Sequence, residues 1–325
     1  MIDILNLLLE SSMITIPIIV ANNMAAIFMN NLRLKRISKY DNCIIRDTEA
    51  LQLYNIKNKK EEFSKIVIKD LLPYLEKLKF YTSHNNLTTV YDNLNNLKIK
   101  KNIFLVLSGA TGGYSADKNM ISYATNESIG HEFLHLASSK YDKENDVIFS
   151  GFKQQKGIAC IGRGLNEGYT ELLASKIYNK NNKITAYKKL VRIAELFQLF
   201  FDDPKEMENY YFNHNLPGLI HYMEQFAPKD EIIKLILDVD NIYFFDDIIL
   251  SSLSTYDYLK IQLKLYEWFI SKNNSTEKLM VFENILCRNK IIELSLKNQK
   301  VKLCRECSHM LKNQKDNYDK FNSKV

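Results

Sequence analysis

Ser128-Ile-Gly-His-Glu-Phe-Leu-His-Leu-Ala137 is the stretch on which the reading of this chain turns. It contains His131-Glu132-Phe-Leu-His135. Residues four apart on a helix share a face, so both imidazoles can converge on one metal ion. Glu132 follows the first histidine and can point toward water held at that metal. Ile129, Phe133, Leu134, Leu136 and Ala137 supply apolar packing positions. A helix over about 127–139 is therefore expected, with the histidines on a separate stripe. The pattern asks for zinc and for hydrolysis.

Two histidines leave a catalytic zinc one protein ligand short. Downstream stands Asn166-Glu167-Gly-Tyr-Thr-Glu171, continued by Leu172, Leu173, Ile177 and Tyr178 at helical spacing. Glu167 and Glu171 are four apart and share a face. Two buried carboxylates there repel unless something positive lies between them. With Glu167 on the metal, Glu171 accepts the outer N–H of a ligand histidine, His131 by preference. The reverse assignment uses the same two carboxylates.

Together, His131-Glu132-Phe-Leu-His135 and Asn166-Glu167-Gly-Tyr-Thr-Glu171 resemble the paired motifs of the gluzincin metallopeptidases, the superfamily of thermolysin and the M1 aminopeptidases. The resemblance covers roughly residues 102–180 and implies an α+β, thermolysin-like zincin core. It implies a small sheet, an active-site helix and a mainly helical lower lobe. It implies Zn2+ on His131, His135 and Glu167, with Glu171 and Asn166 supporting the ligands from behind. Glu132 would take a proton from the attacking water and return one to the leaving amine. The family also uses a downstream Tyr or His to stabilise the oxyanion. His214 and His221 are the candidates here, with Tyr210, Tyr211 and Tyr222 close by in sequence. Leu-Asn-Glu-Gly-Tyr at 165–169 looks like the aminopeptidase form of the second motif. No Gly-x-Met-Glu-Asn sequence for free amino termini accompanies it. The expected activity is thus peptide-bond hydrolysis on a peptide or protein substrate, with endo- or aminopeptidase specificity open. The alternative is a catalytically weak zinc protein of this type with a structural or regulatory role.

Upstream of the helix, Asn102-Ile-Phe-Leu-Val-Leu107 reads as a central strand. Ser108-Gly-Ala-Thr-Gly-Gly-Tyr114 follows. A phosphate loop must open into a helix, and these glycines lead instead to a second strand at 119–123. They are expected to form a tight turn. In the resembled family a strand edge holds the substrate backbone in extended form, and 119–123 is the candidate edge. The segment between His135 and Glu167 reads as a polar turn followed by a small hairpin or irregular excursion. Phe149 and Phe152 within it could line a pocket or pack in the core.

The expected organisation is a mainly helical region over 1–100, a catalytic core over 101–180 and a helical lobe over 181–325. Apolar-periodic segments at 187–201, 219–226, 231–237, 256–270 and 279–286 support the last. The whole chain has 325 residues and a net charge of +6 from 44 basic and 38 acidic side chains. That charge is diffuse, without an arginine stripe or finger spacing, so no nucleic-acid partner is expected. Residues 14–29 are apolar but interrupted by Asn22-Asn23, short of a bilayer span. No clear transmembrane segment is expected, and residues 14–29 leave open a membrane-associated form. The cysteines at 43, 160, 287, 304 and 307 are odd in number and scattered, which suits reduced thiols and a cytoplasmic location. Cys304 and Cys307 lack a second close pair for a structural metal site. Oligomeric state is not legible.

Overall fold

A computed structural model describes residues 65–94, 97–102, 111–178, 184, 186–245, 251–272, 275–289, 292–294 and 301–303. The expected strand interior at 103–107, the apolar segment at 14–29 and the Cys304/Cys307 pair lie outside them. The architecture is α+β. Helix α1 (Lys65–Tyr81) carries Pro73 within it, and a 3-10 turn (His84–Leu87) leads to α2 (Thr88–Leu94). A first sheet contains β1 (Lys98–Lys101), β2 (Gly112–Ser115) and β3 (Met120–Tyr123). A 3-10 turn (Asn126–Ser128) then opens α3 (Ile129–Ala137), the motif helix.

The sheet order β1-β3-β2 corrects two expectations. Strand β3 pairs on both sides, parallel to β1 and antiparallel to β2, so 119–123 is central rather than an edge. Among the described residues β1 and β2 are the outer strands, and β2 contains Gly112 and Gly113, which the sequence reading placed in a turn. The turn falls after them, over residues 116–119. Glycine in a strand marks close approach of other atoms. A Cβ on Gly112 would lie 2.7 Å from Glu132 Oε1 and 2.9 Å from Ser128 Oγ. Only the bare backbone lets β2 lie against the motif helix.

From α3 the chain enters a four-stranded antiparallel meander rather than a hairpin: β4 (Ser139–Asp142), β5 (Val147–Ser150), β6 (Lys153–Lys156) and β7 (Ala159–Ile161). Alternation splits its two faces. Ser139, Ile148, Ser150, Lys153 and Gln155 face a cleft, whereas Phe149 is fully buried on the other face. Phe152, in the β5–β6 turn, is buried in the core with Tyr169 and Tyr211. The meander returns the chain to α4 (Arg163–Ile177), which carries the second motif.

Helices α5 (Lys188–Gln198), α6 (Pro204–Phe212), α7 (Leu216–Met223), α8 (Lys229–Phe245), α9 (Ser251–Lys272) and α10 (Thr276–Arg288) follow, then a short ribbon of β8 (Ile292–Leu294) and β9 (Val301–Leu303). Five of these helices fall on the expected apolar-periodic segments. Helix α6 was not among them; Asp203 caps it and Pro204 starts it. One apolar core runs from Leu71 in α1 through Phe133, Leu173 and Ile236 to Leu286 in α10. No helix of the described residues is long and apolar enough to cross a membrane.

The start of α4 has no cap of its own, because Gly162 precedes it. Asp240 of α8 supplies one from a distance. Its Oδ2 accepts from Gly162 N–H (2.8 Å) and its Oδ1 from Gly164 N–H (2.6 Å). A carboxylate at a helix N-terminus also complements the dipole. Asp240→Ala strands both buried N–H groups and is expected to cost about 2–4 kcal/mol. Asp240→Asn, which keeps an acceptor, should lose less. Urea unfolding at constant slope checks both values.

Candidate metal centre

Helices α3 and α4 bring together what their sequences held apart. His131 and His135 lie one turn apart on α3 and are 9% and 8% exposed. Their Nε2 atoms are 3.0 Å from each other, and Glu167 Oε2 lies 3.3 Å and 3.2 Å from them. All three ligand atoms fall within one small sphere, and the group can hold a metal ion. Behind it, His131 Nδ1–H donates to Glu171 Oε2 at 3.1 Å, which leaves Nε2 facing the group. Asn166 places its amide 3.3 Å from His135 Nδ1, while its Oδ1 accepts from Phe152 N–H at 3.1 Å. A metal on His135 Nε2 leaves the ring proton on Nδ1.

The electrostatics favour a positive charge in the group. Burial alone pushes the His131 imidazole down, but its hydrogen bonds with Glu167 and Glu171 outweigh that and hold it up to about 10. Burial pushes Glu167 up, yet His135 and His131 drive it well below the usual carboxylate range. A positive charge among these groups, proton or metal, favours the ionised form of Glu167. Glu132 differs from them. Burial dominates and raises its carboxyl above the usual range, against the lowering by the two histidines and a hydrogen bond to the backbone of Tyr114. It sits on the cleft side, against Gly112 of β2.

The cleft has a volume of about 310 Å3 and is lined by Glu132, His135 and Glu167, by β2 and by the cleft face of the meander. Tyr187 and Tyr243 complete the lining. The Tyr187 ring lies 5.8 Å from that of His131 and 5.9 Å from that of Tyr243. Tyr187 has φ of 51°, a left-handed conformation costly for an aromatic residue. The preceding residue is tied down: Ala186 N–H donates to Glu171 Oε1 at 3.2 Å. Nothing in the local sequence singles out Tyr187, because its position depends on a contact with Glu171. Gly112 did leave a signal, as a glycine pair beside a strand.

The structure does not bring His214 or His221 to this cleft, which corrects their assignment as catalytic groups. His221 is on the solvent face of α7, its side chain 86% exposed and 3.6 Å from Glu224. His214 precedes α7 and packs on Phe149, on the face of the meander away from the cleft. Its Nδ1 is buried with no hydrogen-bond partner. Tyr211 is buried beside Thr170, and the Tyr222 hydroxyl donates to Phe200 O. Neither they nor Tyr210 line the cleft. Cys160 is buried in β7, apart from the converging donors. No family model, curated protein or solved structure matches the chain.

Two outcomes follow from this geometry. Glu171→Gln keeps the shape of the His131 partner but removes its charge, and should weaken metal binding roughly 10–100-fold. Competition with a chromophoric chelator measures this, and an unchanged affinity would remove Glu171 from its supporting role. His214 behaves independently of the metal. Burial first, then Lys140, lowers its pKa to about 4. The unfolded imidazole titrates near 6.5, so the unfolded chain binds the extra proton between those values, and stability falls as pH drops from about 6.5 to 4. Asn tolerates the φ of 44° at this position. His214→Asn should therefore cut the stability lost between pH 7 and pH 4.5 by about 2–3 kcal/mol, read by denaturant unfolding at both pH values.

Proposed function

We propose that this protein is a zinc-dependent peptidase of gluzincin type. The observation that carries the reading is the convergence of His131, His135 and Glu167 beside Glu132 at the base of an open cleft. Two imidazoles and one carboxylate are a donor set that suits zinc. Zinc–ligand bonds of about 2.0–2.1 Å in a tetrahedron set ligand atoms roughly 3.3 Å apart. The distances of 3.0, 3.2 and 3.3 Å in the group fit that size. A structural zinc site normally closes with four protein ligands, whereas catalytic sites keep a position open. Three donors facing a cleft favour catalysis.

Zinc held there supplies a Lewis acid that acidifies water and polarises a carbonyl. Glu132 takes a proton from the attacking water and passes one to the leaving amine. Glu171 and Asn166 orient the two imidazoles. Tyr187, a cleft phenol whose ring lies beside that of His131, takes the role of oxyanion donor in place of His214 and His221. Strand β2, paired on one side only among the described residues, is the candidate edge for an extended substrate backbone.

The test compares zinc-loaded wild type with Glu132→Gln on a mixed peptide library. The variant should keep its zinc and lose roughly 10²–10⁴-fold of its hydrolysis rate. Equal hydrolysis by both proteins would overturn the proposal.

A further inference from the structure

We propose that Asn93 and Asn119 are positioning residues for Glu132: through Tyr114 they set where its carboxylate stands beside the metal group. This rests on the peptidase reading and extends it to two side chains that do not line the cleft.

The register of β2 comes first. Ala124 N–H donates to Thr111 O at 2.8 Å, and the pairing continues with Gly112 opposite Tyr123 and Tyr114 opposite Ile121. Along an antiparallel pair, residues alternate between turning their backbone groups toward the partner strand and away from it. Thr111, Gly113 and Ser115 therefore face β3, and the backbone groups of Gly112 and Tyr114 turn away from it. The Tyr114 N–H is on that outward side and donates to Glu132. Where it holds the carboxylate depends on how β2 is fixed against α3.

Two clamps fix it. At the start of α3, Ser128 Oγ donates to Thr111 O at 2.9 Å. At the other end the clamp is a closed ring of hydrogen bonds. Tyr114 OH donates to Asn119 Oδ1 at 3.0 Å, and Asn119 Nδ2 donates to Asn93 O at 2.8 Å. Asn93 Nδ2 then donates to Leu136 O at 2.8 Å and to Ser139 O at 2.6 Å. Leu136 follows the ligand His135, and its carbonyl is among the last four of α3, which lack helical N–H partners. The ring thus leaves α3 just after His135 and returns to it at Glu132.

Asn119 suits its place in two ways. Its φ of 45° is left-handed, which Asn adopts more readily than most residues. Its amide can accept from the phenol with one end and donate to a carbonyl with the other. The backbone there is pinned as well, because Lys98 N–H donates to Asn119 O at 2.9 Å. A general base must stay within hydrogen-bond reach of the water it deprotonates. Misplacing such a group by about 1 Å can cost roughly 10²-fold in rate. Residues outside the cleft that hold it in register therefore bear on turnover rather than on substrate binding.

Asn119→Gly tests this, because glycine keeps the left-handed backbone and removes both bridges. Tyr114→Phe, which removes only the hydroxyl, is the second variant. On a peptide cleaved by the zinc-loaded protein, each should lose roughly tenfold or more in kcat, with KM and zinc content within about twofold of wild type. In a Glu132→Gln background the same substitutions should change the residual rate by less than about twofold, since no base remains to be positioned. Binding of acetohydroxamic acid gives a readout without turnover. It binds zinc as the hydroxamate, and the proton its O–H loses goes to Glu132. Asn119→Gly should weaken that binding roughly tenfold when Glu132 is present and leave it unchanged with Glu132→Gln. No loss, a loss of equal size in both backgrounds, or a loss that tracks zinc content overturns the positioning role. Should wild type bind zinc but cleave no peptide, the peptidase reading fails by itself, and the hydroxamate comparison decides the role of the asparagines. A protein that takes up no zinc would overturn both.

Discussion

Glu167 and Glu171 face one side of α4, one helical turn apart, with little water to screen them. Their side chains are only 14% and 4% exposed. Two carboxylates so placed repel each other, and a positive charge between them offsets that cost. The chain supplies the frame for that charge from α3, through His131 and His135. Packing α3 against α4 is therefore the constraint around which the described structure is arranged. The meander between them carries the chain out from Ser139 and back to Ile161, and its turn at Gly151 is locked against Asn166. Asp240, far along the sequence, then fixes where α4 begins.

The same constraint shapes the cleft. Because β2 carries no side chain at Gly112, its backbone can lie on Glu132 rather than stand off from it. Contact with β2 and burial by α3 leave Glu132 short of water, which raises its pKa, while the histidines that lower it are only a turn away. The carboxylates of this site thus take opposite directions from one source. Glu167 has direct imidazole partners and is driven down; Glu132 has more distant ones and is driven up.

What the sequence made legible was local. Four-residue spacing on a helix needs no tertiary information, so His131, His135, Glu167 and Glu171 could be read as two faces of two helices. Their convergence agrees with that spacing. The helical periodicity of the C-terminal half was legible for the same reason. Strand order was not, because pairing β3 between β1 and β2 depends on partners distant in the chain. The glycines before Tyr114 carried a second possible meaning, close approach, that only the neighbouring helix resolves. His214 and His221 have the right chemistry, but burial behind Phe149 and exposure on α7 decide where they act. Tyr187 was hidden because its place beside His131 depends on contacts distant in the chain.

That last contact joins two parts of the site. Glu171 uses one oxygen for His131 Nδ1–H and the other for Ala186 N–H, the residue before Tyr187. One carboxylate therefore orients a metal-facing imidazole and anchors the backbone that carries the nearest cleft phenol. The left-handed φ of Tyr187 costs energy, and strained backbone of this kind persists only where its surroundings over-determine it. Here the surroundings are the Glu171 bond on one side and the rings of His131 and Tyr243 on the other. The backbone next to that phenol is thus held by the same carboxylate that orients His131. A motif readable as a metal site in one dimension specifies, once folded, the geometry of a side chain that lies outside it.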